Sequence, residues 1–471
     1  MLYNLQDIDL RQCKTLQIMK PKKRSESTDS QQDLFRNELV NIINLKHPLC
    51  HLANTIDWES FDESFSSSFS DGVGSPAKSI RLMVGLNYLK YMHDLSDVEV
   101  LNQWIENPYW QYFTGSKYFE SDYPCDSSSL TRWRHRIKAS GAESLLAETI
   151  KSGLRLKMIK ATDLNRVNVD TTVQSKDIRF PTDARSYDRM REHLVKQSKK
   201  EGIELRQNYN QVSKKVLRKQ SNYGHAKQFK RAAKQSKKLC TYLGRVVRDI
   251  RRKSSDLSDE MNHLLELADR LLSQKKNSKE KVYSIHEPAV ECIAKGKPHR
   301  PYEFGCKASI ATCSKSNWIV GSLALHGNPY DGHTLNQVIG QITELLGSTP
   351  DQIYCDKGYR GHDYNGSAKI DIVNHSRKKI PTSVKKWWKR RSAIEPVIGH
   401  LKSEHRLERN KLKGKEGDQI NALLSACGFN LKKILKIFFG FEYESIYLPL
   451  IIEKCRLYLV NLTHIRIYSL G

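Results

Sequence analysis

The sequence predicts a mixed α/β protein. An all-α region comes first, then a sheet flanked by helices, with a basic helical insertion between the first strand of that sheet and the next. Three observations carry this. Residues 166–172, Arg-Val-Asn-Val-Asp-Thr-Thr, alternate apolar and polar at the two-residue period of a strand. From Tyr302 onward, strand-like and helix-like segments alternate, as in a sheet covered by helices. Between them runs a tract of helical period in which residues 185–253 hold 22 Lys/Arg against 5 Asp/Glu.

In chain order, residues 1–30 are polar with a basic cluster at Lys20, Lys22, Lys23 and Arg24, and read as a flexible basic arm. Residues 34–45 suit a helix. Residues 56–75, rich in Ser, Asp and Gly, read as a linker-like loop. From Ala77 the pattern is helical, with Ile80, Val84, Leu86, Tyr88 and Leu89 in one apolar run. A second helix starts at Ser96 or Asp97 and turns Val98, Leu101, Trp104 and Ile105 inward. A third follows the cap cluster Asp126-Ser127-Ser128-Ser129 and carries Arg132, Arg134 and Arg136. Three helices ending in a basic one suit a DNA-binding unit over 31–158, with those arginines as its contacts; the alternative is a plain bundle with a solvated basic face.

The insertion spans 181–284. Leu205, Tyr209, Val212 and Val216, then Leu239, Leu243, Val246 and Ile250, then Met261, Leu264, Leu265, Ala268 and Leu271 recur at helical spacing. This is either a coiled-coil-like arm or an antiparallel helix pair. A hairpin is expected over 302–312 and 317–326, a helix over 331–346, and a short strand over 351–355 that ends at Asp356. Another short strand at 370–373, a helix carrying Glu395 and a helix over 419–437 complete a catalytic region of 159–180 and 285–438. The tail, 439–471, suggests no role.

Charge narrows the partners. The 471 residues hold 78 Lys/Arg and 52 Asp/Glu, a formal charge of +26 with a pI near 9.5. Such a surplus implies a polyanion, nucleic acid before anionic membrane. The most apolar stretch, 446–460, is broken by Glu453, Lys454 and Arg456, so no bilayer span is expected. No secretory signal pattern opens the sequence, and ten scattered cysteines without a Cys-x2-Cys pair suit reduced thiols in a cytoplasm rather than a zinc finger.

The chemistry concentrates in three acids. Glu395 and Lys402 are seven residues apart, so at about 100° per residue they share one side of a helix, with Arg391 near that side if the helix extends back. Asp170 sits on a strand and Asp356 at a strand end before the turn Lys357-Gly358-Tyr359-Arg360-Gly361. Singly, each acid reads as a turn, strand-end or surface charge. Together, on two strands and an abutting helix, they can converge, and close carboxylates tolerate one another only when protonated or bridged by cations. Hard oxygen ligands suit Mg²⁺, and a pair of such ions can activate a hydroxyl and stabilise a leaving oxygen at phosphorus.

These same residues resemble the DDE transposases of bacterial insertion sequences. There the first Asp ends a strand, as in Val167-Asn168-Val169-Asp170-Thr171-Thr172, and the second sits in Asp-x-Gly-Tyr, as in Asp356-Lys357-Gly358-Tyr359. The glutamate belongs to Tyr-x2-Arg-x3-Glu-x6-Lys, matched by Trp388, Arg391, Glu395 and Lys402. The segments Tyr302-Glu303-Phe304-Gly305-Cys306-Lys307 and Asp331-Gly332-His333-Thr334-Leu335 resemble the family between the two aspartates. The resemblance covers roughly residues 19–435 and implies a ribonuclease H-like catalytic fold.

It further implies that Asp170, Asp356 and Glu395 are catalytic and bind two Mg²⁺ ions, with Mn²⁺ able to replace them. Arg391 and Lys402 would hold the element's end, with Trp388, Lys357 and Arg360 also at the DNA. The implied partners are double-stranded DNA, both terminal inverted repeats and target, and a second copy in a homodimer assembled on it. The implied reaction is nicking, then attack of a 3′-hydroxyl on target DNA, in a cytoplasmic, nucleoid-associated enzyme. Two departures matter. Trp388 replaces the family tyrosine, so it can pack or stack on a base but offers no phenolic hydroxyl. Pro396 lacks an amide hydrogen, so a helix either begins near Glu395 or kinks there. Met19-Lys20-Pro21-Lys22 resembles a family start, which suggests an upstream start in this sequence.

Overall fold

The computed structural model describes residues 36–65, 69, 76–275, 278, 281–295, 301–373 and 381–442. The basic arm, the Met19 start and nearly all of the 439–471 tail lie outside the described residues.

Among the described residues seven helices precede the sheet: α1 Leu39–Ile42, α2 Pro48–Thr55, α3 Glu59–Phe65, α4 Ile80–Met92, α5 Asp97–Glu106, α6 Pro108–Phe113 and α7 Ser127–Arg155. The predicted helix over 34–45 shrinks to one turn, since residue 38 pairs in an isolated bridge with Tyr118. The predicted loop over 56–75 contains α3, because Phe61 and Phe65 bury themselves despite their polar neighbours. α5 begins at a capping box between Ser96 and Glu99, a cap that the spacing anticipates. Val98, expected inward, is 55% exposed; Val100 takes the inner position. α7 starts on the Asp126 cap and breaks at Lys138, whose φ is 59°.

The sheet begins with β1 Arg166–Ser175. After the insertion come β2 Glu291–Ala294, β3 Tyr302–Cys313 and β4 Ile319–Leu325, then β5 Gln352–Cys355 and β6 Lys369–Ile372. The order is β2-β3-β1-β5-β6. β1 runs antiparallel to β3 and parallel to β5. β2 and β4 pair with successive halves of β3's outer edge. The hairpin β3–β4 follows the sequence reading; β2 is a strand that reading missed. A mixed sheet flanked by helices is thus confirmed.

Between β1 and β2, among the described residues, stand four helices: α8 Asp183–Lys200, α9 Asn210–His225, α10 Phe229–Lys253 and α11 Asp259–Ser273. They form neither a lone arm nor a simple pair. Met190, Leu194, Leu239, Leu243, Val246, Ile250, Met261, Leu265 and Leu271 close into a core of their own. Most cations are left on the outside, as with Lys230, Lys234, Lys237 and Lys238 along α10, while Arg191 is buried against Asp188.

Among the described residues four more helices follow: α12 Leu335–Leu346, α13 Thr382–Arg391, α14 Ile394–Glu404 and α15 Gly414–Glu442. α15 joins the two halves. Its buried face packs on α4 and α7 as well as on β4, so one apolar core runs from Leu49 through the sheet to Leu435. The approach to α4 needs glycine: a Cβ on Gly428 would meet the Tyr91 carbonyl oxygen at 2.4 Å. Tyr91 also donates its hydroxyl to Asn421 on α15 (2.9 Å) and accepts Nδ1–H of buried His405 at its carbonyl (2.8 Å). Among the described residues no helix is long and apolar enough to cross a membrane, and no disulfide forms.

Candidate active site

β1 has two faces of different chemistry. Val167 and Val169 point into the apolar core and Val173 is buried on their side, while Asn168, Asp170, Thr172 and Gln174 share the other face by the two-residue period. Asn168 is fully buried and pins the site's floor. It accepts the Ser314 hydroxyl at 2.7 Å and donates to the Arg390 carbonyl at 3.2 Å. The Arg390 guanidinium returns to the β3–β4 turn, donating to the Ser314 carbonyl at 2.9 Å and to Asn317 Oδ1 at 3.1 Å. The end of α13 is thereby fixed against β1, two residues from Asp170.

Asp356 arrives from β5, whose parallel pairing sets Tyr354 opposite Asn168. Its Oδ1 accepts the Gly358 amide at 2.8 Å and caps a single 3-10 turn, Lys357–Tyr359. A Cβ at Gly358 would lie 3.0 Å from that oxygen and 3.4 Å from Oδ2 of Asp331, so a larger residue there would press on both acids. Asp331 is in turn paired with Lys307 of β3 at 3.0 Å.

Glu395 lies in the first turn of α14. Pro396 cannot donate to the Ser392 carbonyl, and the Glu395 amide takes that acceptor instead at 3.2 Å. Ser392 and Ala393 stay right-handed, with ψ of −14° and −12°, so α13 passes into α14 through a tightened turn rather than a splayed kink. Arg391 ends one helix and Glu395 opens the next, yet their side chains meet at 3.1 Å.

Arg391 gathers all three acids. Its Nη2 is 2.6 Å from Asp170 Oδ2 and 3.6 Å from Asp356 Oδ2, and its Nη1 is 3.1 Å from Glu395 Oε1. Three carboxylates from two strands and a helix thus surround one guanidinium. Burial raises the pKa of the Asp170 carboxyl, Arg391 pulls it down, and the charges of Asp356 and Glu395 push it up again, leaving it at about 6. One cation is too little for three acids in a half-buried site. The donors are oxygens only, which is the ligand set of a hard divalent ion such as Mg²⁺.

The remaining predicted residues divide. Lys402 stands on α14 with Glu395 and points to Glu303 of β3, 3.8 Å away. Lys357 and Arg360 are exposed beside Asp356. Trp388 does not face outward. It is 6% exposed and packs with Tyr354 and Val373, because α13 lies on β5 through that ring. Arg132 is exposed near the start of α7, within reach of Ser128 and Ser129. Arg136 lies over the Phe69 ring at 5.4 Å. Arg134 is not a surface contact: it is 2% exposed and holds Asp97 with both terminal nitrogens, at 2.9 and 2.6 Å, tying α7 to α5.

Sequence reasoning missed Asn168, Arg390 and the Asp331–Lys307 pair. Asn168 could have been found from its parity with Asp170 on the strand. The other contacts depend on which turn packs where.

Residues 37–136 match the family profile described as a transposase domain (DUF772), and residues 267–431 match that of the transposase DDE domain. The second range holds Asp356, Trp388, Arg391, Glu395 and Lys402 but not Asp170, which precedes the insertion. An uncharacterized protein of Rhizobium meliloti, ORF8 in the nfe locus, is 47% identical over 205 residues, 44% of this chain and 99% of that protein. No solved structure matches.

Proposed function

Because this chain belongs to the DDE transposases of insertion elements, we propose that it nicks the ends of its own element and joins their 3′-hydroxyls to target DNA. The observation that supports this most is the meeting of Asp170, Asp356 and Glu395 around one guanidinium. In this reading these three acids hold two Mg²⁺ ions, or Mn²⁺ in their place. When bound, such ions supply activation of an attacking hydroxyl and charge neutralisation at the leaving oxygen.

The chain's own residues do the rest by positioning. Asn168 and Arg390 fix the floor on which Asp170 stands. Gly358 lets the Asp356 turn close. Arg391 keeps the acids assembled, and Lys402, Lys357 and Arg360 contact backbone phosphates near them. Arg132 and Arg136, with the N-terminal helices, contact DNA farther from the scissile bond, and the basic insertion tracks the phosphate backbone. Two copies pair two element ends in the cytoplasm. Trp388 and Arg134 have no place at the DNA, since both are buried.

The test uses the full chain, a duplex carrying the element's terminal repeats, and a supercoiled target plasmid. Wild type with Mg²⁺ should give nicked ends and strand-transfer products, while Asp356→Asn should bind the duplex and give neither. Wild type that binds without nicking in Mg²⁺ or Mn²⁺ would be a silent DNA-binding descendant. Nicking without strand transfer would make it a nuclease.

A further inference from the structure

A second constellation lies on the same face of β1, about 13 Å along the strand from Asp170 at roughly 3.3 Å per residue. β3–β4 pairing sets Lys307 opposite Leu325, which brings the next residue, His326, beside Cys306. The start of α15 lowers Asp418 onto the pair. A Cys306 Sγ, a His326 ring nitrogen and an Asp418 oxygen all lie within 4.8 Å of one another. From these positions we propose a Zn²⁺ site with Cys306, His326 and Asp418 as its ligands.

The donor set decides the ion. Thiolate, imidazole and carboxylate together suit zinc, whereas Mg²⁺ and Ca²⁺ want oxygen alone. The spacing fits as well. A tetrahedral zinc holds its donor atoms about 3.3 to 3.8 Å apart. His326 Nε2 stands 3.6 Å from Asp418 Oδ2, too long for a good hydrogen bond and suited to a shared ion. Neither His326 nitrogen has a hydrogen-bond partner of good geometry among the described residues, though both are shielded from solvent.

The surroundings orient each ligand. Asp418 Oδ1 is fully engaged, accepting from Asn410 Nδ2 at 2.6 Å and from Lys176 Nζ at 2.8 Å, so Oδ2 is the oxygen left for a metal. Glu287, 3.3 Å from Lys176, shares that ammonium charge. Gln174 Nε2 reaches Cys306 Sγ at 3.7 Å. His326 Nδ1 faces Glu291 Oε1 at 3.5 Å, and that oxygen is held by the Gly327 amide at 2.7 Å. A carboxylate behind the ring fixes the tautomer that offers Nε2 to a metal. On binding, the Cys306 proton leaves to solvent and the thiolate joins the ion. The three protein ligands leave a fourth position for water. The site joins β3, the end of β4 and the start of α15, and does not rest on the proposed reaction.

The full chain, loaded with Zn²⁺ and dialysed, should retain about one equivalent per chain by elemental analysis. Asp170→Asn/Asp356→Asn/Glu395→Gln should retain the same amount, which separates this site from the three acids. Replacement by Co²⁺ should give a thiolate-to-metal charge-transfer band in the near ultraviolet. Cys306→Ser should abolish the band, and Glu291→Gln should weaken zinc binding about 10- to 100-fold. The Co²⁺ spectrum of wild type decides the matter even if Cys306→Ser fails to fold. Wild type that retains no zinc, a cobalt spectrum without the thiolate band, or a band that survives Cys306→Ser overturns the proposal and leaves His326 simply packed between the carboxylates of Glu291 and Asp418.

Discussion

Arg391 Nη2 stands 2.6 Å from Asp170 Oδ2, across 221 residues of sequence, and both side chains are nearly buried. This pair is the hinge of the site, since the same guanidinium also reaches Asp356 and Glu395.

Arg391→Ala should leave three acids facing one another without a cation. Breaking a buried pair costs about 3–5 kcal/mol, and a value near the low end is expected here because Glu395 is mostly exposed. Thermal unfolding with and without Mg²⁺ checks this. The ion should raise the melting temperature of the variant more than that of wild type, and an equal shift in both would count against a shared carboxylate site.

Asp170→Asn and Asp356→Asn should each reduce nicking about 10³-fold or more while DNA affinity changes little. Gel-shift and cleavage assays on one preparation separate the two effects. A variant that loses binding in parallel with cleavage would place the acid in folding or DNA contact instead.

Trp388→Ala should remove a buried ring from the α13–β5 contact and cost about 3–5 kcal/mol. Trp388→Phe should cost much less, and neither should alter DNA affinity in the folded fraction. Denaturant midpoints and binding isotherms read both quantities. A selective loss of DNA binding in Trp388→Phe would return the indole to the interface.

Acid should weaken the fold through His405. Burial lowers the pKa of its ring from 6.5 to about 4, against the raising effect of the bond to the Tyr91 carbonyl. Between those values the unfolded chain takes up a proton that the folded chain refuses. Stability therefore falls as the pH drops through 6.5 and levels off below about 4, with a limit of about 3 kcal/mol from this group. The difference in unfolding free energy between wild type and His405→Gln, followed from pH 7 to 4, should show that slope in wild type only.

The exposed lysines of α10 test the insertion. Changing Lys230, Lys234, Lys237 and Lys238 to Gln spares its core, which deletion of 185–253 would cut through. Each lost phosphate contact should flatten the log–log salt slope of DNA binding by about 0.9. An unchanged slope would make this face a solvated surface.

Much of the candidate site was legible because it is written locally. The alternation through Asp170, the glycine after Asp356 and the seven-residue step from Glu395 to Lys402 each reflect a backbone period or a turn requirement. Arg134 and Trp388 were misplaced for the opposite reason. A basic side chain and an aromatic one read alike whether they face water or a partner such as Asp97 or Tyr354, and only packing supplies that partner.

By itself, then, the sequence determined most strands and helices of the sheet region, β2 excepted, three candidate acids and the positive charge of the insertion, because propensity and periodicity act over a few residues. The tertiary structure alone decided that Arg391 would clamp those acids, that the inserted helices would close on their own core, and that Cys306, His326 and Asp418 would meet. Each of these depends on the register of one strand against another and on where α15 crosses the sheet, and contacts between distant segments leave no trace in local spacing.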